Sequence, residues 1–167
     1  SEEAHRIIDQ YRWVPLDGRP HAYLLDIRII PGGDPKVDGF ETPRNKALSE
    51  ARGDWVLWLD TDEKLLQPDK MAKYLRPNGF DGYSIRQHHF SVDANFGADL
   101  PVRLFRNPLK TGSGMRFIGM IHEHPERGLN MGPGQVTVLP DVHIPHVGYL
   151  IESGRQKKFG RNLPMLE

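Results

Sequence analysis

The chain has 167 residues, the size of one domain or part of one. Lys+Arg and Asp+Glu both total 22, so the formal net charge is zero and the basic excess typical of nucleic-acid-binding proteins is missing. The absence of cysteine excludes disulfides and thiolate zinc sites and fits a reducing, cytoplasmic setting, and no apolar run approaches the roughly 20 residues that span a bilayer.

Taken in order, Ala4, Ile7, Ile8 and Tyr11 recur at helical spacing and predict an amphipathic helix over residues 1–12. Asp17-Gly18-Arg19-Pro20 is a turn signal, and Ala22 to Ile30 reads as a strand broken by Pro31-Gly32-Gly33. Thr42 suits a helix N-cap and Pro43 the first helical position. Ala47, Leu48 and Ala51 supply the apolar stripe of that helix, and Gly53 suits a left-handed C-cap. The run Val56-Leu57-Trp58-Leu59 then reads as a strand buried on both faces, within a mostly parallel sheet. Asp60, Asp62 and Glu63 follow at its carboxyl end, where open α/β sheets bind ligands. Carboxylates gathered there repel one another unless a positive group joins them, and hard divalent cations prefer oxygen ligands. The plain alternative is an acidic strand end leading into a helix.

Further along, a helix is predicted from about Asp69 to Leu75, a turn at Asn78-Gly79, and a strand from Gly82 to Gln87 with His88 to Val92 as its candidate extension. Asp93 to Gly97 reads as a loop, and Val102 to Asn107 alternates as a half-buried strand does. Gly112-Ser113-Gly114 predicts a hairpin turn joining that strand to Met115–Ile118. Two short strands, Val136–Leu139 and Val142–Ile144, and a basic helix from about Ser153 complete the reading. Trp55 and Trp58 read as core residues, and Trp13 has no assigned role.

Four blocks in the same order resemble a known family. Pro43-Arg44-Asn45-x-Ala47-Leu48-x-x-Ala51-x-Gly53-Asp54-Trp55-x-Leu57-x-Leu59-Asp60-x-Asp62-Glu63 is similar to the central segment of family 2 glycosyltransferases of GT-A fold. Pro101 to Asn107, Phe117 to Glu123, and Pro145-His146-Val147-Gly148-Tyr149 with the Lys/Arg-rich segment after it resemble the branch that includes lipopolysaccharide-core and peptide glycosyltransferases. The resemblance runs from about Phe40 to Glu167 and implies a single α/β domain over residues 1–167, a GT-A-like, Rossmann-like mixed sheet flanked by helices. The strand–helix–strand that grips the nucleotide base in that family is not visible in residues 1–39, so the N-terminal part is expected to be truncated or atypical.

The implied activity is transfer of a sugar, with inversion, from a UDP- or GDP-sugar to a glycan, lipid-linked or protein acceptor. The Asp-x-Asp motif would hold Mn²⁺ or Mg²⁺ through Asp62, with Asp60 nearby and His146 completing the metal site. Transfer to a hydroxyl needs a base, and Glu123 is the candidate, supported by His122 and His124. Arg44, Asn45, Asp60 and Arg103 are candidates for the donor diphosphate, since Arg binds phosphate bidentately, while a plain solvated face is the alternative for Arg103 and Arg106. Lys157, Lys158 and Arg161 either close over the diphosphate or form a solvated helix face. Two other classes compete. One is a glycan-binding or interaction domain without catalysis. The other is a His/Asp metallohydrolase using His122, His124, His143 and His146.

Overall fold

The computed structural model describes residues 13–14, 23–24, 30, 34–75, 79–91, 96–120, 123–126 and 135–149. The predicted helices over residues 1–12 and beyond Ser153, and most of the strand predicted from Ala22 to Ile30, lie outside them. The chain divides into two units, Ser1–Pro31 and Gly32–Glu167. In the first, β1 (Trp13–Val14) pairs antiparallel with β2 (Tyr23–Leu24).

The second unit is mixed α/β. It opens with α1 (Pro35–Asp38) and α2 (Glu41–Ser49). Gly39 between them takes φ +65°, and a Cβ there would lie 3.0 Å from the Met120 backbone. Because α1 leads almost directly into α2, the N-cap is Phe40 rather than Thr42, whose hydroxyl instead donates to the Asp38 carbonyl at 2.6 Å. The helix ends at Glu50 in right-handed geometry, where the Glu50 N–H donates to the Ala47 carbonyl and the Ala51 N–H to the Leu48 carbonyl, so Gly53 is no left-handed cap.

The main sheet contains β3 (Trp55–Leu57), β4 (Gly82–Ser91), β5 (Phe96–Asp99), β6 (Val102–Arg106) and β9 (Val136–Tyr149). β6 lies antiparallel between β3 and the first half of β4, and β5 pairs with the second half of β4 on that same edge. β9 runs parallel along the other edge of β4. The sheet is therefore mixed, with one parallel pairing among its named strands, rather than mostly parallel. β3 is its margin among the described residues, not a central strand. Trp55 and Val56 are half-buried and Leu57 is exposed, because β6 and the helix side cover only part of the strand.

Adjacent strand residues point to opposite faces, and the two core clusters follow that period. Leu104, Tyr83, Ile85, Leu139, Val142, Ile144 and Met71 pack on one face, with Trp55, Leu65 and Tyr74 against them. Phe105, Leu48, Met115 and Phe117 pack on the other, with Val56 and Trp58. Each fully buried side chain of this size contributes about 1.5–3 kcal/mol.

Other elements depart from expectation for local reasons. The helix predicted from Asp69 shrinks to a 3₁₀ turn, Pro68–Met71. The loop predicted up to Gly97 ends earlier, since Gly97 pairs with His89 in β5. No hairpin joins β6 to β7 (Arg116–Ile118). Asn107 caps a short α3 (Pro108–Thr111) by accepting from the Leu109 N–H at 2.9 Å, and β7 pairs with β8 (His124–Glu126) instead. The two short strands near the end are a single β9. Its register shifts after the Ile85↔Leu139 pair, which accommodates Pro140, a residue that cannot donate to a ladder.

Candidate functional site

The segment after β3 organises the site. Trp58 still bonds β6, its N–H donating to the Arg103 carbonyl at 3.1 Å. By Glu63 and Leu66 the chain forms bridges to His146 and His143 on β9. Between these points a turn, closed by the Glu63 N–H on the Asp60 carbonyl at 3.1 Å, carries Asp60, Asp62 and Glu63. Side chains from α2, β4, β6 and β9 therefore converge on three acids that are neighbours in sequence.

Arginines answer two of these acids. Arg44 of α2 donates to Asp60 Oδ1 at 2.6 Å and to Glu123 Oε1 at 2.5 Å, bringing Glu123 to the acid turn. Arg103 of β6 donates to Glu63 Oε1 at 2.6 Å, and Gln87 of β4 donates to the same oxygen. Glu63 Oε2 accepts the Asp60 N–H at 2.8 Å. The Glu63 side chain is fully buried and that of Arg103 is 3% exposed, so Arg103 is no solvated face. Both guanidiniums lie over the Trp58 ring, at 4.3 Å for Arg44 and 3.7 Å for Arg103, where the ring face attracts cations. Trp58 is thus half-buried against the core rather than inside it, and it is the platform on which the arginines rest. Burial lowers the Arg103 pKa, with Glu63 and Asp60 opposing that shift. Burial acts the same way on Arg44, but the bonds and charges of Asp60 and Glu123 outweigh it and raise the pKa. Arg103 Nε and Nη1 are buried without a hydrogen-bond partner among the described groups.

Asp62 meets histidine instead. His146, 6% exposed on β9, lies with Nε2 3.0 Å from Asp62 Oδ2. Its Nδ1 is 3.0 Å from Nδ1 of His89, the residue opposite it on β4, and His89 Nε2 is 2.9 Å from Asp99 Oδ2. A second pair, His88 Nε2 and His143 Nδ1, sits 3.2 Å apart on the same two strands.

Among the described residues the site gathers four carboxylates, Asp60, Asp62, Glu63 and Glu123, beside two guanidiniums, Arg44 and Arg103, and the imidazole of His146. Two cis ligands of an octahedral ion with bonds of about 2.1 Å lie about 3.0 Å apart. Asp62 Oδ2 and His146 Nε2 have that separation, which is also that of an ordinary hydrogen bond; the carboxylate oxygen suits Mn²⁺ or Mg²⁺, and the imidazole nitrogen suits a transition metal. Asp60 is committed to Arg44. Among the described residues no group of three His, Asp or Glu is poised as a ligand set, so the pair would leave the other positions of such an ion to ligands from outside.

Of the remaining predicted residues, Asn45 exchanges two 2.8 Å bonds with the Phe117 backbone, clamping α2 to β7. His124 lies on β8. His122, Lys157, Lys158 and Arg161 lie outside the described residues. Of the four-histidine set, His143 and His146 turn to separate partners on β4, His88 and His89. Sequence reasoning missed Gln87, His88, His89 and Asp99. The available signal was a His-His pair inside a strand, matched by His143-x-x-His146 on another.

No protein-family model matches this chain, and no curated protein matches it. Fold and site define a mixed α/β unit with carboxylates, arginines and histidines gathered after β3. Among the described residues no helix is long and apolar enough to cross a membrane.

Proposed function

We propose that the chain is a divalent-cation-dependent, inverting glycosyltransferase of GT-A type, moving a sugar from a UDP- or GDP-sugar to a hydroxyl of a glycan, lipid-linked or protein acceptor. The observation that carries this reading is the Asp62–His146 pair at cis-ligand distance beside an acid-rich turn. The order of the sequence blocks that resemble family 2 glycosyltransferases supports it. A bound Mn²⁺ or Mg²⁺ would supply charge neutralisation for the departing diphosphate. Asp62 and His146 hold that position. Arg44 and Arg103, paired with Asp60 and Glu63, hold the acid turn in place beside it, so that the turn needs no reorganisation during reaction. Glu123 takes the proton of the acceptor hydroxyl, with its orientation fixed by Arg44. The cysteine-free sequence is in keeping with a cytoplasmic setting.

The test is calorimetric titration of UDP and of GDP into the chain with and without Mn²⁺. One of them binds only with the metal, and Asp62→Ala loses that binding. Failure of both at millimolar concentration, with glycans still binding, would overturn the enzyme in favour of a glycan-binding domain.

A further inference from the structure

The histidine chain carries a proton count. Asp62, His146, His89 and Asp99 make three consecutive contacts at 3.0, 3.0 and 2.9 Å. An ionised carboxylate only accepts, so the contact with Asp99 requires hydrogen on His89 Nε2. In a neutral ring that leaves His89 Nδ1 as an acceptor, and His146 Nδ1 must donate to it. A neutral His146 then presents a bare Nε2 to Asp62 Oδ2, and two lone pairs do not hold one another at 3.0 Å. Two neutral imidazoles thus supply hydrogens for two of the contacts, and the third is met either by one further proton on the rings or by a cation between Asp62 and His146.

We propose that His89 and Asp99 are positioning residues, which hold His146 in the tautomer that turns a bare Nε2 toward a divalent cation shared with Asp62. The inference rests on the metal site of the proposed function. His89 reaches it from β4 because register sets it opposite His146, and the two rings meet edge to face at 87°. Ligating histidines commonly donate their second ring N–H to a partner that fixes the ring, and loss of such a partner costs about 10–100-fold in metal affinity. His89 is that partner for His146. Asp99, whose side chain is 73% exposed, orients His89 from solvent and has the smaller effect.

The experiment is calorimetric titration of Mn²⁺ into the full chain and its variants, with melting temperature measured beside it. The wild type binds, and Asp62→Ala does not. His89→Leu, which removes the acceptor, weakens binding by about 10–100-fold, while His89→Gln, whose amide oxygen accepts from His146 Nδ1, recovers most of that loss. A merely structural role would not distinguish these two at equal melting temperature. Wild-type affinity in His89→Leu would overturn the positioning role and leave the metal site standing. Equal weakness of Leu and Gln variants at unchanged melting temperature would overturn it as well. No Mn²⁺ binding by the wild type would overturn both. If His89→Leu fails to fold, Asp99→Ala decides: weaker binding supports the inference, and unchanged affinity overturns it.

Discussion

Asp60 and Glu63 on one side, and Asp62 on the other, sit within four residues of one another yet meet opposite chemistry. Asp60 and Glu63 are answered by guanidiniums that stay charged at every accessible pH. Asp62 is answered by an imidazole, whose charge depends on what lies between them. The arginine side is held by fixed ion pairs and mainly holds shape. The histidine side carries a charge that varies with protonation, and on the proposed reading it is where a cation is held. On the proposed reading, what faces each carboxylate decides which acid of the Asp-x-Asp motif takes a metal.

The largest effect should come from breaking the closed side. Glu63→Ala leaves Arg103 buried beside Trp58 without its carboxylate, a change that costs about 3–5 kcal/mol. For a domain of this size that lowers Tm by roughly 10 °C. Replacing both partners with apolar residues, as in Glu63→Leu with Arg103→Met, should restore most of the loss. A Glu63→Ala variant melting with the wild type would show that the pair adds nothing to the fold.

A smaller effect separates the two histidine pairs. His89 and His146 lie between carboxylates, whereas burial first, then His143, Arg86 and His89, push the His88 pKa down. A base with a lowered folded pKa binds protons more weakly folded than unfolded. Its contribution is intact above the ordinary histidine pKa of about 6.5 and declines as pH falls below it. Melting temperature should therefore drop between pH 7.5 and 5.5, and His88→Gln should flatten that slope. A steeper slope in His88→Gln would contradict the assignment.

Much of the site was legible because its acids are adjacent in sequence. The apolar run before Asp60 marks a strand, and the acids after it mark the turn on which arginines and a histidine converge. Glu123 as a base, and His146 as the partner of Asp62, could be named only through the resemblance. The burial of Arg103 was not legible, since alternation of charged and apolar residues reads as a half-solvated strand whether or not a tryptophan covers the charge. The marginal position of β3 was hidden in the same way. Trp55 and Trp58 count as apolar in a run, but they bury their faces under Arg106, Arg44 and Arg103 rather than between two sheet layers. Asn107-Pro108 carried a readable cap signal that outweighs the glycine-rich turn after it. The His89–His146 contact joins residues 57 apart, and only the parallel register of β4 and β9 brings them together.

The central claim is that Asp62, with His146, is the metal-binding acid and Asp60 is not. Mn²⁺ titration of Asp60→Asn and Asp62→Asn, side by side with the wild type, tests it most directly. The account predicts that Asp62→Asn loses Mn²⁺ affinity by about 100-fold or more, while Asp60→Asn stays within about tenfold of the wild type. Equal losses in the two variants, or a larger loss in Asp60→Asn, would contradict it.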